Sequence, residues 1–229
     1  MTSFTVAELR IGRVGPLGPR GVPSGIDKQP APGPVMALAG GLVGDEQGDT
    51  VHHGGRDKAI HAYPAAHHAL WARDLPDRAA LFRPGAFGEN LTIEGASEAD
   101  LCLFDRFRVG GAVLEVSQTR QPCWKLNLRF ATPDMARRVQ DTGRTGWYFR
   151  VVGEGEIAAG ERAELIARPQ PDWPLARVWR LLYRDMLDRE ALAAFAGLRD
   201  LPEKWRRMAQ ARLARGSVED WSARLDRSR

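Results

Sequence analysis

Apolar and polar residues alternate with a period of two in short stretches of the first 170 residues, and with a period near 3.6 beyond them. The predicted strands are Val6 to Val14, Ala59 to Tyr63, Phe107 to Val109, Ala112 to Ser117, Trp147 to Val152 and Arg162 to Ala167. Gly110-Gly111 between two of them is a hairpin signal, and Gly153-Glu154-Gly155-Glu156 marks another turn. Many short strands with glycine- and proline-rich turns predict a barrel or sandwich rather than a doubly wound parallel sheet. Two helices interrupt the strands. One is predicted to start with Pro64 at its first position and to carry His67, Leu70 and Trp71 on one face; the other runs from Pro133 through Met135, Ala136 and Val139 to Gly143.

Three prolines within Ala167-Arg168-Pro169-Gln170-Pro171-Asp172-Trp173-Pro174 stop any regular element, which divides the chain into residues 1–168 and 173–229. Past that point Leu175, Val178, Trp179 and Leu182 keep helical spacing, and Ala191, Leu192 and Phe195 belong to a second helix ending at Gly197. A third is predicted from Pro202 to Arg215, stopped by Gly216. Ser217 is then the expected N-cap of a short last helix, with Glu219 and Asp220 in its first turn. A helical module of this size is small for independent stability and is expected to dock on the β domain.

Composition narrows the picture in three ways. Only two cysteines, Cys102 and Cys123, are present, too few for a disulfide framework, and Cys102 within Leu101-Cys102-Leu103-Phe104 reads as a core position. The N-terminus shows no basic segment followed by an apolar one, and no uninterrupted apolar run approaches the ~20 residues that span a bilayer, so a cytoplasmic protein with no membrane contact is expected. From Trp173 to Arg229 there are 13 Lys and Arg against 8 Asp and Glu, so the chain's net positive charge of +4 resides in the tail. Such a tail could meet nucleic acid or an acidic partner, but its charges alternate in sign and no basic stripe interleaved with aromatics stands out, as on a solvated helix face.

Four clusters could carry chemistry. Cys123 lies in Ser117-Gln118-Thr119-Arg120-Gln121-Pro122-Cys123-Trp124-Lys125-Leu126, flanked by Arg120 and Lys125, company that favours a thiolate able to attack electrophiles or ligate a soft metal; the alternative is a small buried hydrophobe. A polar loop, Gly44 to Ala59, contains Asp45, Asp49, His52, His53, Gly54, Gly55, Arg56 and Lys58, with glycine backbone able to approach an anion and cations able to neutralise it; the alternative is a tight turn. Phe87-Gly88-Glu89-Asn90-Leu91-Thr92 sets a carboxylate and an amide after a glycine, and Gly143-Arg144-Thr145-Gly146-Trp147 reads as a turn into a strand. His52, His53, His61, Asp45, Asp49 and Cys123 also suggest zinc. Their spacing argues against it, since adjacent histidines on a strand point to opposite faces and no His-Glu-x-x-His or Cys-x-x-Cys arrangement occurs. His67 and His68 are expected at the surface or between helices.

Taken in order, Val51-His52-His53-Gly54-Gly55-Arg56-Asp57-Lys58-Ala59-Ile60, the Phe87 to Thr92 run and the Ser117 to Leu126 run resemble the MOSC domain family, named for the C-terminal domain of molybdenum-cofactor sulfurase. The tail, with Lys204-Trp205 and Glu219-Asp220-Trp221, resembles the three-helix appendage of one bacterial branch, so the likeness covers nearly the whole chain. That branch often has proline after the Gly-Gly pair, where this chain has Arg56. The resemblance implies a mainly β (α+β) fold, a closed MOSC-type β-barrel followed by a small helical domain, and binding of the molybdenum cofactor (molybdopterin). It also implies reduction of N-hydroxylated compounds such as hydroxylamino-purine base analogues, a detoxification. Cys123 would then be the protein ligand to molybdenum. Arg120, Lys58 and the Gly54-Gly55 backbone would hold the cofactor phosphate, and Asn90 would bond the pterin or orient the loop. Asp45, His52 and His53 would orient other groups or deliver protons.

The implied reaction is reductive N–O cleavage, R–NHOH to R–NH₂ and water, consuming two electrons and two protons, with the cofactor supplying the redox step. With one of two cysteines assigned to molybdenum, four thiolates for a common iron–sulfur cluster are not available, and no Gly-x-Gly-x-x-Gly fingerprint appears. A separate electron-donating reductase protein is therefore the expected partner, beside the small N-hydroxylated substrate, with the basic tail as a docking surface for it. Two competing classes are a non-redox molybdenum-cofactor carrier or sulfur-transfer module, and a nucleic-acid-binding module built on the tail.

Overall fold

The computed structural model describes residues 3–49 and 54–226. Its strands are β1 (Ser3–Ile11), β2 (Gly15–Leu17), β3 (Val22–Ser24), β4 (Gln29–Pro30), β5 (Val35–Leu38), β6 (Gly41–Leu42), β7 (Ile60–Pro64), β8 (Leu91–Glu94), β9 (Arg106–Val109), β10 (Ala112–Thr119), β11 (Trp147–Gly153), β12 (Gly155–Ile157) and β13 (Arg162–Ala167). The helices are α1 (Ala65–Asp74), α2 (Lys125–Arg129), α3 (Met135–Thr142), α4 (Leu175–Tyr183), α5 (Arg189–Ala196), α6 (Glu203–Arg215) and α7 (Ser222–Leu225).

Seven strands close on themselves in the order β13, β9, β10, β11, β7, β8, β1, with β1 pairing back onto β13. Closure removes the open edges that invite misassociation. Every pairing round the barrel is antiparallel except β7 with β8, and a parallel neighbour requires a crossover, here supplied by α1 and a 3₁₀ segment over Pro76–Leu81. Phe4, Val6 and Leu9 of β1 face the core; the change from even to odd positions is made by a bulge between Val6 and Glu8. Ile60, Ala62, Leu114, Val116, Trp147 and Phe149 complete that interior. A second apolar cluster, Tyr63, Trp71, Phe82, Phe87, Phe130, Met135 and Val139, packs outside the barrel between β7 and helices α1 to α3.

The tail helices share the barrel's core: Leu175, Val178, Leu182, Leu192, Phe195 and Trp205 are contiguous with it. Arg212 of α6, 2% exposed, binds the tail together. Its guanidinium donates to the carbonyl oxygens of Leu181 and Leu182 at 3.1–3.2 Å, and to both Glu219 carboxylate oxygens at 2.8 and 2.9 Å.

Several boundaries differ from the pattern's prediction. β1 ends at Ile11 rather than Val14, because the Gly12 N–H bonds Asp45 Oδ1 at 2.9 Å instead of a neighbouring strand. Pro64 is the extended residue before α1, not its first turn. His68, expected at the surface or between helices, is buried with its Nε2 3.1 Å from the carboxylate of Glu89. The last helix starts at Ser222 rather than after Ser217, since Asp220 takes the capping bonds from Ser222 N and Oγ at 2.8 and 2.6 Å. Cys102 is buried, as expected of a core position.

Candidate functional site

The site lies on the outer wall of the barrel. Because strand side chains alternate, the residues between Ile60 and Ala62 and beside Trp147 must point away from the core. Register then aligns Gln118 of β10 with Tyr148 of β11, and Tyr148 with His61 of β7. The rings of Tyr148 and His61 lie 5.0 Å apart. Asn90, just before β8, extends the row: its Oδ1 accepts from His61 N at 3.0 Å and its Nδ2 donates to Arg10 O at 3.1 Å. Its side chain ties three strands together.

Two cavities open over this row. The smaller, about 80 Å³, includes Lys28, Lys58, His61, Asn90, Arg120 and Cys123 in its walls. The larger, about 260 Å³, is walled by Lys58, Gln118, Cys123, Trp124 and Tyr148 together with Lys204, Ala223 and Arg224 of the tail. Cys123, 8% exposed, belongs to both, as do Lys58, Lys125 and Tyr148.

Local structure explains how each cation arrives. Gly55, at φ 92°, starts the 3₁₀ turn Arg56–Lys58. That turn is pinned by Ser117 Oγ to Asp57 O at 2.6 Å and by Arg150 Nε to Asp57 Oδ1 at 2.6 Å, so Lys58 is delivered to the shared wall. Gly54, Gly55 and Arg56 line neither of these two chambers; Gly55 starts the turn that carries Lys58. Arg120 leaves β10 with its N–H bonded to Gly146 O at 3.0 Å. It is 6% exposed, and its Nη1 has no hydrogen-bond partner among the described residues. Lys125, on α2, donates to Pro23 O at 2.9 Å. Asp45 is not on either wall: it stands behind Lys28, joined to it by a short buried ion pair. His52 and His53 lie outside the described residues. Glu89 is consumed by its own loop, accepting from Gly85 N at 2.7 Å and Phe87 N at 3.0 Å.

Electrostatics follow from this crowding of cations. Burial, reinforced by the charge of Arg120, pushes His61 well below its ordinary value, so its imidazole is neutral at pH 7. Burial and then the charge of Lys204 bring Lys58 down to about 8. Burial also lowers Lys28, against the pull of Asp45. Lys28, Tyr148 and Arg224 did not figure among the sequence-level candidates, and His61 figured only in the zinc set that its spacing argued against. For Tyr148 a signal existed, its alternation with the core residues Trp147 and Phe149; for Lys28 and Arg224 none did.

A buried guanidinium with one unpartnered nitrogen calls for an anion, and a thiol in the same chamber offers a soft metal ligand. The donor set therefore fits a phosphate-bearing metal cofactor. Among the described residues no three His, Cys, Asp or Glu side chains gather as a metal cluster, and no helix is long and apolar enough to cross a membrane.

Comparison with known proteins gives the same direction. Residues 49–164 match the MOSC domain family, and residues 173–216 match the YiiM-like 3-alpha helix domain. Protein YiiM of Escherichia coli is 40% identical over 210 residues, covering 90% of this chain and 92% of that protein. Its crystal structure superposes with a TM-score of 0.79, covering 93% of this chain and 98% of that one at 34% identity. YiiM of Geobacillus stearothermophilus gives 0.78, with 92% and 99% covered at 34% identity. A protein of Gibberella moniliformis named Reductase is 39% identical over 178 residues, which are 76% of this chain but 31% of that protein.

Proposed function

This chain belongs to the MOSC domain family, in the branch with a YiiM-like helical tail, and on that footing we propose that it binds the molybdenum cofactor and reduces N-hydroxylated compounds with it. The observation that carries the reading is the convergence of Cys123 and the unpartnered Nη1 of Arg120 on one chamber. MOSC domains are associated with the molybdenum cofactor, and these two residues fit its soft metal and its phosphate.

When bound, the cofactor supplies the two-electron chemistry that converts R–NHOH to R–NH₂ and water. Cys123 holds the metal through its sulfur. Arg120 holds the phosphate, and Lys58 adds positive potential at the shared wall. Asn90 keeps β7 and the loop in register, while Asp45 fixes Lys28 against the chamber. The neutral His61 ring offers a hydrogen bond without adding charge. Tyr148, whose phenol burial pushes above its ordinary value, stays protonated at pH 7 in the wall that it shares with Cys123. His52 and His53 remain candidates for orientation or proton delivery.

The electrons come from a separate reductase protein. Two cysteines cannot ligate a common iron–sulfur cluster in addition to molybdenum.

The test is metal and pterin analysis of protein made in a host that synthesises the cofactor, with Cys123→Ser alongside, followed by assay of a hydroxylaminopurine with a chemical electron donor. Stoichiometric molybdenum and pterin, molybdenum lost in the variant, and amine formed by the wild type are expected. Cofactor without turnover would favour the carrier or sulfur-transfer reading, and neither molybdenum nor pterin would sink the proposal.

A further inference from the structure

Cys123 sits in the stretch Arg120 to Trp124, which joins β10 to α2 without regular structure. A thiol that is to meet a metal needs a fixed direction, and in irregular chain that direction follows from φ and ψ of the residue that carries it. The peptide plane before Cys123 contains Pro122 O, and the plane after it contains Trp124 N. Arg224 holds both. Its Nη1 donates to Pro122 O at 2.6 Å, and its own carbonyl oxygen accepts from Trp124 N at 2.7 Å. With the two planes held, φ and ψ of Cys123 are set, and so is the direction of its Cα–Cβ bond. The barrel grips this stretch further back, where Arg120 N bonds Gly146 O at 3.0 Å.

Arg224 is itself built in. Its Nη2 donates at 2.6 Å to Oε1 of Gln140, a buried residue of α3, and its guanidinium stands 5.8 and 5.9 Å from the ring centres of Tyr183 and Trp221. The next residue, Leu225, is buried and gives its carbonyl oxygen to Asn127 Nδ2 at 2.9 Å, while Asn127 Oδ1 accepts from Ala136 N at 2.7 Å. A tail needed only to cover the barrel could do so through the apolar contacts of α4 to α6. Its end instead bonds the peptide groups on either side of one cysteine, where a small shift matters for a metal ligand.

We propose that Arg224 is the positioning residue for the Cys123 thiol, so that the helical tail completes the cofactor site instead of serving as a separate module. The assignment rests on the proposed cofactor reading and gives the tail a task in it: the barrel supplies the ligand and the tail aims it. A chain without Arg224 would keep Cys123 and Arg120, and with them the hold on the cofactor phosphate, but would retain the metal poorly.

The test reads the loop and the metal separately. Arg224→Met removes the guanidinium and keeps the backbone carbonyl, Arg224→Lys keeps a donor for Pro122 O, and Glu219→Gln weakens the tail at Arg212 instead. In cofactor-free protein, amide hydrogen exchange at Trp124 is expected to run about tenfold faster in Arg224→Met, as loss of one charge-assisted bond gives, with exchange in β10 and β11 unchanged. In protein from a host that synthesises the cofactor, Arg224→Met should lose most of its molybdenum per pterin, Arg224→Lys should recover it, and Glu219→Gln should match wild type. Unchanged exchange at Trp124, full molybdenum in Arg224→Met, or an equal loss in Glu219→Gln would overturn the proposal. Faster exchange at Trp124 in Arg224→Met, beside a wild type that takes up neither molybdenum nor pterin, would leave Arg224 as the residue that orients the thiol and bring down the cofactor reading instead.

Discussion

Replacing Glu219 with glutamine removes one charge from the pin that holds the tail together while keeping its shape. Partial burial pushes the Glu219 carboxyl up, but hydrogen bonds from Arg212 and Trp221 outweigh this and hold it down to about 2, against 4.5 when unconstrained. A carboxylate whose folded value is depressed contributes stability that is present above about 4.5 and lost as the pH falls toward 2. Taken at face value that gap corresponds to about 3 kcal/mol. The Glu219 side chain is 40% exposed, however, and solvent screens it, so about 1–2 kcal/mol is the expected loss for Glu219→Gln at neutral pH. Arg212, almost wholly buried, keeps its bonds to the carbonyls of Leu181 and Leu182, which prevents a larger collapse. The assay is urea unfolding of both proteins across the pH range. The difference in stability should be constant from about pH 7 to pH 5 and fall below half its neutral value by about pH 3. Coincident midpoints at pH 7, or a difference that does not respond to acid, would refute the reasoning.

Arg120→Met should empty the anion site without weakening the fold, since it removes a buried cation with an unpartnered nitrogen: pterin content falls sharply while the urea midpoint stays at or above wild type. In cofactor-free protein Lys58→Met should raise stability by about 1–2 kcal/mol, because burial and Lys204 bring this lysine down to about 8 from 10.5. The sign is set by a charge penalised in the folded state, so the gain is complete below about pH 8, shrinks between 8 and 10.5 and is absent above; unfolding at pH 7 and 10.5 tests it. Gly146→Ala places a methyl against Ala62 O at a residue with φ 68°, and should cost about 2–4 kcal/mol, read as a lowered melting temperature.

The parts of this fold that the sequence reveals are those long enough to show a period. Trp147 to Val152 repeats its inward residues three times, and the helix ending at Gly216 runs for several turns. β2 to β6 have two to four residues each, so no alternation can establish itself, and the span from Gly15 to Lys58 yields no predicted strand although it carries five. α2 is hidden for the same reason: five residues do not complete two helical turns, and the segment after Cys123 is recognisable by its chemistry alone. β8 follows a Gly-Glu-Asn run that looks like a turn, and its first three residues are buried, so it shows no polar face to betray a strand. In the site, Cys123, Arg120 and Lys58 are legible from their motifs. Gly54 and Gly55, expected at the cofactor phosphate, line neither chamber, and Gly55 starts the turn that carries Lys58. Lys28 and Arg224 come from distant segments with ordinary local sequence, and only tertiary contact brings them to the chambers.

The loop that carries the thiol is sewn to the end of the described chain: Trp124 N bonds Arg224 O at 2.7 Å, Asn127 Nδ2 bonds Leu225 O at 2.9 Å, and Arg224 reaches Pro122 across 102 residues. A ribosome adding about 5 to 20 residues per second leaves that loop waiting about 5 to 20 s for the strand of chain that closes it. During synthesis the barrel can form around Cys123 while one wall of its neighbourhood does not yet exist. The finished pocket thus waits until synthesis has passed Arg224, and a polypeptide cut short before that residue would present its thiol without this wall.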